Sequence, residues 1–153
     1  MAQWGNFEVV DGENAFSDCT NLDVTAADAP DLSGVTSLNS LFRGCPSLAG
    51  GAGFNLWDVS SVISMRIMFF QSSFNQDIGG WDVSSVTDMS YMLRELSTTN
   101  YDSLLIGWAA QAVQPNLSFG ADNSTYSSAA ADARDTLTSA PNNWTIVDGG
   151  QAP

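Results

Sequence analysis

Apolar positions along the first two thirds of the chain follow two alternating rhythms. The first is apolar-x-x-apolar-x-apolar, at Ala27/Pro30/Leu32, Phe54/Trp57/Val59 and Ile78/Trp81/Val83. Alternation of this kind sends its apolar residues to one face of a short strand and the residues between them to the other. The second rhythm runs i, i+3, i+4, i+7: Gly12/Ala15/Phe16/Cys19, Leu38/Leu41/Phe42/Cys45, Met65/Met68/Phe69/Ser72 and Met89/Met92/Leu93/Leu96. That spacing predicts a short helix with one apolar stripe. Ser85, Thr87 and Asp88 are suitable caps before the last of them.

The rhythms are parts of a larger repetition. Trp57-Asp58-Val59-Ser60-Ser61-Val62 returns unchanged at Trp81-Asp82-Val83-Ser84-Ser85-Val86, and Pro30-Asp31-Leu32-Ser33-Gly34-Val35 is a degenerate copy. One strand plus one helix cannot bury its own apolar face, whereas stacked copies share a core. A period of about 24–27 residues therefore predicts an α/β fold, a leucine-rich-repeat-like solenoid. Its short strands form a parallel sheet on one side and its short helices line the other. The last third breaks the rhythm: Tyr101–Trp108 reads as a helix, Asn116–Gly120 as a strand, Ser127–Ser139 as an alanine-rich helix and Trp144–Val147 as a last strand. A solenoid needs an atypical unit to close its end. The expected organisation is one domain over 1–153, with four repeat units in 1–100 and a C-terminal capping segment in 101–150.

Charge narrows the partners. Seventeen acidic residues face four arginines, Arg43, Arg66, Arg94 and Arg134, with no histidine, giving a net charge of −13. Such a chain repels nucleic acid and anionic lipid. No apolar run is long enough to span a membrane, so membrane insertion is not expected. Met1-Ala2-Gln3-Trp4 lacks the basic start of a signal peptide, and the repetition begins almost at once. The chain reads as a fragment of a longer exported protein.

The residue inventory speaks against catalysis. Without histidine there is no Ser-His or Cys-His pair and no histidine zinc site. Gly50-Gly51-Ala52-Gly53 lacks the Lys-Ser/Thr that a phosphate-binding loop requires. No catalytic residue, resident metal or cofactor is expected.

Two surfaces are candidates for binding. Asp31, Asp58 and Asp82 fall between the strand apolar positions, beside Ser33, Ser60 and Ser84. Carboxylates stacked on neighbouring strands repel. Either backbone hydrogen bonds from the following turn answer that cost, or a cation such as calcium or a basic ligand does. The second surface is the outer face of the predicted helices, where Ile67, Phe70 and Tyr91 point away from the core beside Arg66 and Arg94. Exposed apolar side chains rimmed by arginine mark contact sites. Cys19 and Cys45 hold the same position in consecutive repeats, so they are either a disulfide or two small core side chains.

Phe74-Asn75-Gln76-Asp77-Ile78-Gly79-Gly80-Trp81-Asp82-Val83-Ser84-Ser85-Val86-Thr87-Asp88-Met89-Ser90-Tyr91-Met92 resembles the surface-protein repeat of the BspA-like leucine-rich-repeat family, and Tyr101–Gly150 looks like the region that follows such repeats. Arg66-Ile67-Met68-Phe69-Phe70 departs from that pattern, which has small polar residues there. The resemblance implies an extracellular or cell-surface protein that binds a protein or glycoconjugate in adhesion, with no catalytic motif. Two alternatives stand beside it: a structural spacer within a longer surface protein, and a calcium-dependent ligand-binding module.

Overall fold

The computed structural model describes residues 3–5 and 12–153. Among them the regular elements are a 3-10 turn at Ala52–Leu56, helix α1 (Thr98–Ala109), strand β1 (Ser118–Gly120), a 3-10 turn at Ser128–Ala130, helix α2 (Ala131–Thr138) and strand β2 (Thr145–Val147). β1 and β2 pair in parallel, with Phe119 opposite Ile146, as an open two-stranded sheet. Most of the remaining chain is loop and turn. No helix among the described residues is long and apolar enough to cross a membrane.

This architecture overturns the expected leucine-rich-repeat-like solenoid, with its sheet on one side and row of helices on the other. The four segments with helical spacing are turns. The reason lies in one backbone angle. Asn14, Ser40, Ile67 and Tyr91 have φ of 56°, 56°, 61° and 55°. A residue in that left-handed region breaks a right-handed helix. The amides that would have bonded four residues back reach another segment instead. Leu38, Ser40 and Phe42 donate to the carbonyls of Ser64, Arg66 and Met68, each at 2.9 Å. Met65, Ile67 and Phe69 donate to those of Asp88, Ser90 and Met92 at 2.9, 3.0 and 2.8 Å. A tight turn can carry Leu38, Leu41 and Phe42 inward as a helix would, so the apolar spacing alone did not distinguish the two.

Trp57–Val59 and Trp81–Val83, expected as strands, form none, and Pro30–Leu32 holds a single bridge residue, Asp31. Further parallel bridges join Ser37 to Ser64, Ser64 to Asp88 and Met89 to Phe119. After each Trp-Asp-Val the chain turns at once, with Val62 donating to the Val59 carbonyl at 2.9 Å and Val86 to that of Val83 at 3.0 Å.

The core is aromatic and continuous. Phe16, Phe42 and Phe69 stack with centroids 5.5 and 5.7 Å apart. Trp57 and Trp81 stack at 6.2 Å with planes 15° apart, and both are buried. Two indoles donate to carbonyls across the core, Trp81 to Phe54 at 2.8 Å and Trp108 to Ile78 at 3.2 Å, whereas the buried Trp57 Nε1 has no partner among the described residues. α1 starts where the Ser97 hydroxyl accepts the Asn100 amide at 3.3 Å, and it buries Tyr101, Leu104, Leu105 and Trp108. It lies against backbone: a Cβ on Gly107 would collide with the Gly79 carbonyl, so glycine is required there. Arg134 of α2 clasps Asp148, just beyond β2, with Nε at 2.8 Å and Nη2 at 3.1 Å. The Tyr101 hydroxyl donates to the same carboxylate at 2.8 Å.

Ile67 is an unfavourable residue for its angle, because a β-branched side chain crowds the left-handed backbone. Asn14 and Ile67 hold equivalent places in the hydrogen-bonding pattern, and asparagine tolerates this conformation best among residues with a Cβ. Ile67→Asn is expected to stabilise the fold by about 1 kcal/mol, which raises the melting temperature by about 2–4 °C. A lower melting temperature would show that burial of the half-buried isoleucine outweighs the strain.

Candidate binding groove

The turn at Tyr91 meets β1 closely. Leu93 donates to the Gly120 carbonyl at 2.9 Å, and Gly120 donates to that of Met89 at 3.1 Å. A Cβ on Gly120 would lie 2.5 Å from the Tyr91 nitrogen, so only glycine lets the two backbones approach. Ala121 in turn donates to the Val147 carbonyl at 2.8 Å, which holds the end of β2 alongside. Between these segments opens a groove of about 510 Å³.

Leu93 is its buried floor, and Phe70, half-buried, forms one wall. Tyr91 and Val147 stand over it, 64% and 59% exposed. Ser90 and Ser118 contribute to the lining, and Asp122 supplies the lining's one charged side chain. The lining is chiefly apolar.

Phe70 and Tyr91 thus share one groove. Ile67 is half-buried in the neighbouring turn, bonded through its amide to the Ser90 carbonyl at 3.0 Å, and does not line it. Arg66 and Arg94 are exposed outside the lining. Neither is in an ion pair; among the described residues the ion pair present is Arg134–Asp148. Val147, Asp122 and Gly120 escaped sequence reasoning. They come from other segments and carry no periodic signal, though a glycine inside a predicted strand is a hint of close backbone approach.

The aspartates belong to local turns. Asp58 accepts the Ser60 hydroxyl at 2.6 Å and amide at 3.1 Å, and Asp82 accepts the Ser84 hydroxyl at 2.6 Å and amide at 3.0 Å. Asp31 accepts the Ser33 amide at 2.9 Å. These serine hydroxyls, and then the amides, hold all three carboxyls below the usual aspartate range. Hydrogen bonds inside each turn offset the repulsion among the three carboxylates. No three of His, Cys, Asp and Glu gather as a metal cluster among the described residues.

Cys19 and Cys45 are both free thiols in this structure. Cys45 is buried and donates its thiol to the Phe16 carbonyl at 3.0 Å, while Cys19 is exposed. Burial pushes the Cys45 thiol up, away from the reactive thiolate.

Comparison with curated proteins and with solved structures finds no match. A family model does match, over residues 10–131. The chain belongs to the family described as "Mycoplasma protein of unknown function, DUF285".

Proposed function

We propose that this protein is a non-catalytic binding module that engages a protein or glycoconjugate at a cell surface through the groove at Tyr91. One observation carries the reading: Tyr91 and Val147 stand 64% and 59% exposed over a chiefly apolar groove. Large apolar side chains grouped around a concavity are a liability in water unless something docks there. Tyrosine is also a preferred anchor, since it buries much area at little entropy cost. The absence of histidine from the sequence supports a role in binding over one in catalysis. The cell-surface setting is supported by the likeness of Phe74–Met92 to surface-protein repeats.

Tyr91→Asn tests the proposal cleanly. Tyr91 has φ of 55°, an angle that suits asparagine, and its side chain is exposed, so the fold should melt unchanged. Labelled parent protein is expected to bind cultured animal cells, and Tyr91→Asn to bind them about 30-fold more weakly, as loss of an anchor of about 2 kcal/mol implies. Protease or glycosidase treatment of the cells beforehand tells a protein receptor from a glycan. Equal binding by the two forms would remove the groove from the function.

A further inference from the structure

We infer that the groove takes a lysine or arginine side chain from a basic segment of a partner protein; this rests on the binding role just proposed and names the chemistry of the partner. The groove offers the two halves such a side chain needs. Tyr91, Val147 and Phe70 are an apolar bed for an aliphatic stem. Asp122 is an exposed acidic residue of the lining with no ion-pair partner among the described residues, and it is the group we assign to the cationic head. The exposed Tyr91 ring adds a π face that attracts cations. Arg94 follows the floor residue Leu93 but stays outside the lining, so the groove itself holds no positive charge.

The whole molecule agrees with its groove. At net −13 the chain draws basic partners in from a distance and slows anionic ones. The same charge opposes a second copy as occupant, since two chains at −13 repel before their apolar surfaces touch.

The experiment uses the full chain and three capped hexapeptides. One is Gly-Leu-Arg-Leu-Arg-Gly; the others replace arginine by glutamate or by citrulline, its neutral isostere. Each is titrated while the amide resonances of Tyr91, Gly120 and Asp122 are followed by NMR. The arginine peptide is expected to shift these three resonances, and the glutamate peptide to leave them in place. Asp122→Asn on the protein, or citrulline in the peptide, should each weaken binding at least about tenfold, the loss expected for a charge-assisted hydrogen bond. Asp122 has φ of 45°, which asparagine tolerates, so this variant keeps the fold, and a melting curve checks it. Several results would overturn the inference. If Asp122→Asn and the citrulline peptide bind as well as their parents while Tyr91→Asn does not, the groove binds apolar groups and only its cation preference is lost. If neither variant weakens the arginine peptide, the attraction is diffuse and the groove is not its site. If no peptide moves the three resonances, or if they move with protein concentration alone, the occupant is not a basic segment, and in the latter case it is a second copy.

Discussion

Trp81→Ala lowers the unfolding free energy by about 3–5 kcal/mol, the expected cost of removing a large aromatic from a packed core. Trp81 is 1% exposed and stacks on Trp57. Its indole donates to the Phe54 carbonyl at 2.8 Å, so truncation also removes a buried hydrogen bond to the preceding segment, leaving that carbonyl only the Trp57 amide at 3.3 Å. A domain of this size has about 5–15 kcal/mol in all, so the variant should lose a large share of its stability in a urea titration. Trp81→Phe keeps the stacking surface and loses the hydrogen bond, and should fall between the two. If Trp81→Ala unfolds within about 1 kcal/mol of the parent, the indole column is not what joins these segments.

Asp148→Asn is expected to cost about 3–5 kcal/mol, because it leaves the guanidinium of Arg134 without its counter-charge. The Asp148 side chain is 3% exposed and that of Arg134 is 22%, so water returns little of the loss. Removing Arg134 as well should cost less than the two single changes summed, which a double-mutant cycle measures. The same clasp sets an alkaline limit. Burial, then the Asp148 charge and its hydrogen bond, raises the Tyr101 hydroxyl well above the usual tyrosine value near 10. A group raised on folding contributes stability that is fully present below its unfolded value and is lost as pH climbs towards the folded one. The melting temperature should therefore fall above about pH 10 in the parent. In Tyr101→Phe this alkaline fall should be smaller. A flat profile in both proteins would show that ionisation of Tyr101 is not what links pH to stability.

What could be read from the sequence was whatever depends on near neighbours. The Asp-x-Ser turns at Asp58 and Asp82 were legible because donor and acceptor lie two residues apart. α1 was legible from Tyr101, Leu104, Leu105 and Trp108, which fit one helical face. The strands at Phe119 and Ile146 were found because both segments are short apolar runs bounded by turn residues. The central segments were misread for an identifiable reason: Leu38, Leu41 and Phe42 have helical spacing, and nothing in Ser40, Ile67 or Tyr91 advertises a left-handed angle. Glycine in those places would have marked the turns. The groove was half legible. Phe70 and Tyr91 stood out as surplus apolar residues, but Asp122 and Val147 reach them only through long-range backbone bonding.

The direction of that backbone bonding bears on how the chain is made. Donors at Leu38, Ser40 and Phe42 wait for carbonyls at Ser64, Arg66 and Met68, and donors at Met65, Ile67 and Phe69 wait for Asp88, Ser90 and Met92. Each turn is sealed by a segment that leaves the ribosome later. At about 5–20 residues per second, a lag of roughly 25 residues lasts about 1–5 s. Throughout synthesis the newest turn therefore carries a row of amides bonded only to water and an uncovered apolar edge. That edge moves along the chain until Ser118 and Gly120 accept from Met89 and Leu93, and β2 then closes over β1. A nascent chain halted before Ser118 lacks the carbonyls that accept from Met89 and Leu93, and the open edge it shows is one a chaperone can hold.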